Sequence, residues 1–146
     1  MNTFSRIAVT ATTLALFGCA TGYQSSDNPL TGMFGGYWDE KGPGQLIKVG
    51  FDGNGYISND KVATYLLYRC AEVAAREGSD YFILYQNLPA AVADRRSAER
   101  TVGTVGRKAS SYAYILLSNE PGDGVMSSAE VMQRLEPVVK STGGKS

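Results

Sequence analysis

The chain has 146 residues, of which 43% are apolar and 19% charged, enough apolar material for one modest core and too much for global disorder. Basic and acidic side chains number 14 each, so the chain lacks the positive balance that nucleic-acid binding requires. It contains no histidine, which excludes Ser-His-Asp and Cys-His nucleophile systems and histidine-containing zinc sites. No catalytic, cofactor or metal motif is evident, so we expect a non-enzymatic protein without a cofactor.

Residues 1–18 have the three-part pattern of a bacterial export signal. A short positive segment ending at Arg6 precedes the apolar run Ile7–Phe17. This run is shorter than the about 20 residues that a transmembrane helix needs. Its length and flanks match the apolar region of a secretory signal peptide.

The apolar run leads into Leu16-Phe17-Gly18-Cys19, which resembles the lipobox of bacterial lipoproteins, although a small or β-branched residue is usual in place of Phe17. The resemblance implies cleavage between Gly18 and Cys19 and a diacylglycerol on the Cys19 thiol. Two or more acyl chains hold a protein on a membrane stably. Ala20, where Asp would signal inner-membrane retention, favours the outer membrane by resemblance to Gram-negative sorting rules. An uncleaved N-terminal anchor, or cleavage by the other signal peptidase, is the alternative.

Composition divides the rest of the chain. Ala20–Gly35 is rich in Gly, Ser, Asn and Pro, which predicts a flexible tether spanning about 20–25 Å on average. We therefore expect a signal peptide over 1–18, the lipidated Cys19 with its tether over 19–35, a folded domain over 36–140 and a disordered tail over 141–146.

Four segments have strand patterns. Alternating apolar residues predict strands with one buried face, and runs that are apolar on both faces predict central strands that pair with each other. The long segment 87–110 is either a mobile loop or carries a hairpin arm over Thr101–Lys108. The predicted strands are a short one over Gly36–Glu40, then Gln45–Phe51, which alternates, and Asp80–Gln86 and Ser111–Ser118, which are apolar on both faces.

Two segments have helix patterns. Ser58–Glu77 has a capping serine at its start and Gly78 placed to end it. The second helix starts at Ser127, where Ser127-Ser128-Ala129-Glu130 fits a capping box, and Pro137 is expected to end or kink it. The order β-β-α-β-β-α predicts an α+β fold with one antiparallel or mixed sheet and two helices on one face.

Several segments form a longer series over about Gly35 to Leu117. They are Gly36-Tyr37, the strand ending in Phe51, the Gly53-Asn54 turn, Tyr65-Leu66-Leu67-Tyr68-Arg69-Cys70-Ala71-Glu72 and Gly78-Ser79-Asp80-Tyr81-Phe82. This series looks like a family of small Gram-negative lipoproteins, and the resemblance implies a fold and a compartment but no functional residues.

Cys70 and the turn Asp52–Gly55 are the first candidate sites. Cys70 lies in the predicted apolar stripe of the first helix, where a thiol behaves as a small apolar residue; a redox thiol or an intermolecular bridge is the alternative. Asp52–Gly55 begins like a calcium loop. Ile57 and Ala63 then stand where that loop needs Gly and a bidentate Glu, so we expect a plain turn.

Charged and tyrosine side chains supply the remaining candidates. Arg69, Glu72 and Arg76 can pair along one helix flank, which we expect to be a solvated face, with a partner-binding role as the alternative. Tyr112 with Tyr114, and Tyr81 with Tyr85, form a recognition surface or cover the edge of the sheet. A local excess of basic residues is either a solvated loop or a partner surface for lipid headgroups, cell-wall polymers or a protein. These residues are Arg95, Arg96, Arg100, Arg107 and Lys108.

Three functions follow as hypotheses. The first is an interaction or structural module on the periplasmic face of the outer membrane, with an envelope protein or cell-wall partner. The second is a small-ligand carrier, which needs an apolar pocket. The third is a hydrolase that uses carboxylates such as Asp52, Asp60 or Asp80, although no spacing pairs two of them.

Overall fold

The computed structural model describes residues 22–28, 35–97, 102–105 and 107–141, and all statements about structure concern these residues. They form an antiparallel sheet with helices, which confirms the predicted α+β class. The elements are β1 (Gly36–Lys41), β2 (Leu46–Asp52), α1 (Asn59–Arg76), β3 (Tyr81–Tyr85), α2 (Leu88–Val92), β4 (Gly103–Val105), β5 (Lys108–Ser118), β6 (Val125–Ser127) and α3 (Ser128–Ser141).

The strand order is β1-β2-β5-β3-β6, and β4 pairs with the start of β5. The predicted pairing of the two apolar runs is present, because β3 lies antiparallel to β5 with Tyr85 opposite Tyr114. Between these strands the hairpin arm is the correct alternative, since Gly103 pairs with Ser110 across a tight turn. The predicted strands all form, and β4 and β6 are additional short ones.

Helix α1 has the boundaries that its capping residues predict. The Ser58 side chain accepts a hydrogen bond from the Lys61 backbone N–H at 3.3 Å, and Gly78 has the positive φ of +79° that favours glycine after a helix. The stripe that contains Val62 and Cys70 is fully buried. The core beneath it also contains Phe51, Tyr65, Phe82, Leu84 and Ile115.

The sheet separates two apolar clusters. The two long helices, α1 and α3, cover the face that carries Phe82 and Ile115. The opposite face carries Ile83 and Tyr114, and the short helix α2 packs there through Ala90. Helix α2 was not predicted from the sequence. It covers part of the second face of the sheet.

Helix α3 differs from its prediction at Pro137. The Glu130 backbone N–H donates to the Ser127 side chain at 3.4 Å, as in the predicted capping box. The helix then continues through Pro137 to Ser141, so of the end or kink expected near Glu136 the end is wrong. Val139, two residues after Pro137, is only 8% exposed, and its packing favours continuation of the helix despite the backbone hydrogen bond that proline removes.

Residues 22–28, called here the docked segment, pack against the edge of the sheet. The Tyr37 N–H donates to Gln24 O at 2.7 Å and the Ser26 N–H donates to Tyr37 O at 3.0 Å, which adds one parallel bridge between Ser25 and Tyr37. These contacts differ from the flexible tether that composition predicts for 19–35. The remaining tether residues, 19–21 and 29–34, lie outside the described residues, as do the signal peptide, Gly18, Cys19 and 142–146.

Tyr23 fixes the docked segment to the domain. Its ring lies 4.7 Å from the Tyr37 ring, 5.2 Å from the Tyr68 ring and 5.6 Å from the Tyr65 ring, centroid to centroid. Its hydroxyl donates a hydrogen bond to the Glu72 carboxylate. Aromatic pairs at such distances contribute about 0.5–1.5 kcal/mol each beyond burial, so Tyr23 adds to the backbone hydrogen bonds that hold this segment.

Candidate functional site

The face of the sheet opposite α1 and α3 is called here the open face. Side chains alternate along each strand, so Trp38, Lys48, Tyr112 and Tyr114 all lie on it. The strand register places Trp38 and Tyr112 on either side of Gly50. Part of an aromatic row is thereby exposed beside the region that α2 covers.

The Trp38 ring lies over Gly50, and a hydrogen bond holds the N–H edge of the indole. Its indole N–H donates to Asp52 Oδ2 at 2.8 Å, and Asp52 Oδ1 accepts from the Ser110 hydroxyl at 2.5 Å. A Cβ at position 50 would lie 2.1 Å from the indole ring. Glycine is therefore the residue that lets the Trp38 ring approach the sheet.

Lys48 lies between the partly buried Trp38 ring and the exposed Tyr112 ring. Its Nζ lies 5.2 Å from the Trp38 ring centroid and 5.4 Å from that of Tyr112, within cation–π range. The Glu40 carboxylate accepts a hydrogen bond from it at 3.0 Å, and this bond raises the pKa of Lys48. The group is a cation held in place by two rings and one carboxylate.

The tyrosines of β5 divide between surface and interior. Tyr112 is 47% exposed and Tyr114 only 9%, with their rings perpendicular at 6.1 Å. Of the second predicted pair, Tyr85 is buried and its hydroxyl donates to Asp94 at 2.6 Å. Burial, with the Asp94 carboxylate, raises the pKa of Tyr85. Tyr112 is thus the β5 tyrosine available for recognition.

An apolar groove of about 500 Å³ adjoins this row at the far end of β2. Helix α2 forms one wall and the turn between β1 and β2 the other. Val92 lies at the rim of the groove with 88% of its surface exposed, which is a large exposed fraction for an apolar residue. The lining residues are Pro43, Gly44, Gln45, Leu46, Tyr85, Leu88, Ala91, Val92 and Leu116.

The predicted basic surface is divided in the structure. Arg95 and Arg96 follow α2, and Arg96 donates to the Asp94 carboxylate at 3.0 Å and to Asp123 O at 2.7 Å. Arg107 and Lys108 are exposed at the start of β5, where Lys108 pairs with Val105. Arg100 lies outside the described residues.

The two parts of that basic surface lie far apart on the sheet. Ser97 bonds to Leu84 O, and Leu84 pairs with Ile115, seven residues along β5 from Lys108. At about 3.3 Å per residue this separation is about 23 Å. The described residues therefore do not form one continuous cationic patch.

The Arg69, Glu72 and Arg76 flank is not the solvated face that we expected. Arg69 donates to Asp39 Oδ1 and Arg76 to Asp39 Oδ2, each at 2.7 Å, and Arg69 donates to Glu72 at 3.1 Å. The Arg69 guanidinium lies 4.0 Å from the Tyr37 ring centroid. These contacts join α1 to β1, so we assign them to stability.

The pKa of Asp39 reflects that arrangement. Burial raises the pKa of this carboxyl group, but hydrogen bonds from Arg76 and Arg69 outweigh burial and hold the pKa below 3.8. The side chains of Asp39 and Arg69 are 15% and 16% exposed. An ion pair at this depth is more sensitive to loss of one partner than a surface pair.

The other sequence candidates do not converge. Cys70 is fully buried in α1, as a small apolar residue of the core would be. Asp52, Asp60 and Asp80 lie at the end of β2, in the first turn of α1 and just before β3. Among the described residues no group of three or more His, Cys, Asp or Glu side chains can hold a metal ion, and no helix is long and apolar enough to cross a membrane.

Comparison with protein-family models, with curated proteins and with solved structures finds no match for this chain. The site therefore rests on its own geometry. Sequence analysis missed the Trp38–Lys48–Tyr112 arrangement, although the alternation of β2 and the paired tyrosines of β5 were available signals. What they lacked was the register, which sets which strand lies beside which.

Proposed function

We propose that this chain is an outer-membrane lipoprotein, anchored on the periplasmic side through lipid on Cys19, and that its domain is a non-enzymatic interaction module of the cell envelope. The anchor follows from the resemblance of Leu16–Cys19 to a lipobox. The observation that carries the interaction role is the open face, where Trp38, Lys48 and Tyr112 adjoin an apolar groove. Trp and Tyr side chains are enriched at the centres of protein interfaces and dominate their energetics.

A protein partner fits the open face better than a cell-wall polymer. Leu46, Leu88 and Leu116 give the groove an aliphatic lining, which suits an apolar side chain of a partner. The exposed aromatic rings beside it can then cover neighbouring residues, with Lys48 and Glu40 at the rim to set orientation. A polysaccharide would use the rings but would gain little from the aliphatic groove.

A small-ligand carrier is the second candidate, because the groove volume lies in the range of small-molecule sites. Val92 at its rim is 88% exposed, so a small ligand there would keep one side in water. A partner protein would cover that side. The groove geometry therefore favours the interaction module.

The anchor is tested by metabolic labelling with palmitate. The parent chain should incorporate label and fractionate with membranes, and Cys19→Ala should lose both properties. Label that persists in Cys19→Ala would contradict the lipobox interpretation.

The open face is tested by a photo-crosslinking amino acid placed in intact cells at position 112, at position 92, or at Gln133 on the exposed side of α3 as the control. We expect one discrete protein adduct from the first two positions and none from Gln133. Val92→Glu should lower the yield from position 112 by about tenfold, which is about 1.4 kcal/mol of binding. Adducts that disappear after muramidase digestion would identify a cell-wall polymer and overturn the protein partner.

A further inference from the structure

The end of the sheet where β1 begins and β2 ends is called here the proximal end; Gly36 and Asp52 pair there. We propose that the docked segment holds the lipid anchor at the proximal end, so that this end meets the bilayer and the apolar groove faces away from it. The inference rests on the lipid anchor of the proposed function and deepens it by naming the surface that the membrane contacts.

The first step is the path of the docked segment. Its backbone is hydrogen-bonded to Tyr37, the second residue of β1, and the Tyr23 ring is packed among Tyr37, Tyr65 and Tyr68. The docked segment is therefore held beside the proximal end, and Gly22 is its first residue.

The second step is the length of chain between that point and the lipid. Cys19 precedes Gly22 by three residues. Consecutive Cα atoms are 3.80 Å apart, so three residues span at most about 11 Å. A lipid on Cys19 is consequently restricted to the neighbourhood of the proximal end. A free tether over 19–35 would instead allow every surface of the domain to approach the membrane.

The two ends of the sheet carry different surfaces. Tyr56 is 71% exposed and follows Asp52 by four residues, and tyrosine side chains suit the headgroup region of a bilayer. The groove lies at the other end, where Leu46 pairs with Leu116. Six residues of β2 separate Leu46 from Asp52, which is about 20 Å along the strand. The domain would thus stand on the membrane with its groove open to the periplasm.

The test uses the full lipidated chain, purified and reconstituted in vesicles of phosphatidylethanolamine and phosphatidylglycerol that contain a short-range headgroup quencher. A fluorophore is attached through Gly55→Cys at the proximal end or Val92→Cys at the groove. Both positions are exposed, and the unsubstituted chain serves as the labelling blank because Cys70 is buried. We expect quenching at position 55 to exceed quenching at position 92 by about threefold or more, since about 20 Å of strand separates the two ends.

Two variants test the cause. Tyr23→Ala should release the docked segment and bring the quenching ratio close to one. An insertion of ten Gly and Ser residues between Thr21 and Gly22 should do the same by adding about 17 Å of flexible reach. The insertion leaves every described contact of the domain in place. It therefore tests whether the docked segment sets the orientation even if circular dichroism shows that Tyr23→Ala does not fold.

The outcomes separate the two proposals. Intact mass identifies the lipid on Cys19; a chain without it overturns the proposed anchor and this inference together. A lipidated, folded chain with equal quenching at both positions overturns only the inference. A ratio that the ten-residue insertion leaves unchanged also overturns it, because the docked segment then does not set the orientation.

Discussion

Asp39 on β1 accepts a hydrogen bond from Arg69 on α1 at 2.7 Å, with both side chains about 15% exposed. Arg76 binds the other carboxylate oxygen at the same distance. One carboxylate therefore joins the edge strand to two positions of the main helix that lie about two turns apart. The same strand carries Tyr37, to which the docked segment is bonded, so this pair stabilises the part of the domain nearest the proposed anchor.

Asp39→Asn should destabilise the domain by about 2–3 kcal/mol, because it removes the carboxylate that Arg69 and Arg76 share and leaves Glu72 as the remaining carboxylate partner of Arg69. Urea unfolding followed by circular dichroism measures the change. The matched control is Glu40→Gln on the next residue. Glu40 is 58% exposed and pairs with Lys48, and such surface pairs contribute about 0–1 kcal/mol. Equal losses for the two variants would contradict the assignment of Asp39 to a buried network.

The lowered pKa of the Asp39 carboxyl group predicts how the stability of the domain depends on pH. The folded-state pKa of Asp39 lies below its ordinary value of 3.8, so its contribution to stability is present above pH 3.8 and is lost as the pH falls through the folded-state pKa. The gap in unfolding free energy between the parent and Asp39→Asn should be constant near neutral pH and should narrow below pH 3.8. Urea titrations between about pH 7 and pH 2 measure it. A gap that widens toward low pH would reverse the assigned sign.

The raised pKa of Tyr23 predicts that the stability of the domain falls at alkaline pH. Burial and the Glu72 carboxylate raise the pKa of Tyr23 above its ordinary value of 10.0. The unfolded chain therefore ionises this tyrosine first, and its contribution to stability is present below pH 10 and lost as the pH rises above it. Tyr23→Phe keeps the ring and removes the hydroxyl.

In Tyr23→Phe we expect a loss of about 1 kcal/mol at neutral pH from the missing hydrogen bond, and a smaller alkaline decline than in the parent. The decline should persist in part, since the pKa values of Tyr68 and Tyr85 are raised as well. Unfolding by urea at pH values on both sides of 10 checks this. Identical alkaline slopes for the two proteins would show that Tyr23 ionises without cost to the fold.

Gly50→Ala tests the open face. A Cβ at this position would meet the Trp38 ring at 2.1 Å, so the ring must move away from the sheet. Trp38 is the only tryptophan of the chain, and its emission should shift to the red as it becomes solvated. We expect a stability loss of about 1–3 kcal/mol from overpacking and weaker crosslinking from position 112.

Gly55→Ala is the control for that substitution, since a Cβ at position 55 has no heavy atom within 4 Å. It should leave the emission of Trp38 and the stability of the domain nearly unchanged. An unshifted emission spectrum in Gly50→Ala would mean that the indole does not depend on this glycine.

Elements with complete local signals could be predicted from the sequence. Helix α1 has a capping serine at its start, a glycine after its end and a regular apolar stripe, and its boundaries agree within about a residue. Helix α2 and strand β6 have five and three residues, too few to show a period. The expected stop at Pro137 was wrong because a local rule took no account of Val139, whose burial depends on the folded core.

The candidate site depends on contacts between distant parts of the chain, which no local pattern contains. Asp39 lies 30 residues from Arg69 and 37 from Arg76, so the sequence showed only the short pairing along the helix. Tyr23 is a second residue whose contacts no local pattern predicts. Its surroundings have the composition of a linker, and its ring has partners only once Tyr37, Tyr65 and Tyr68 are assembled.

The position of β5 in the sheet has a consequence for the order of folding. This strand lies between β2 and β3, and its pairing with β2 joins residues as far apart as Leu46 and Leu116. Contacts that close such long loops form slowly, because loop-closure entropy is lost before any contact compensates for it. The hairpin of β1 and β2 and helix α1 remain without their central neighbour until residue 118 is available. We therefore expect the pairing of β2 with β5 to be a late step in the formation of this sheet.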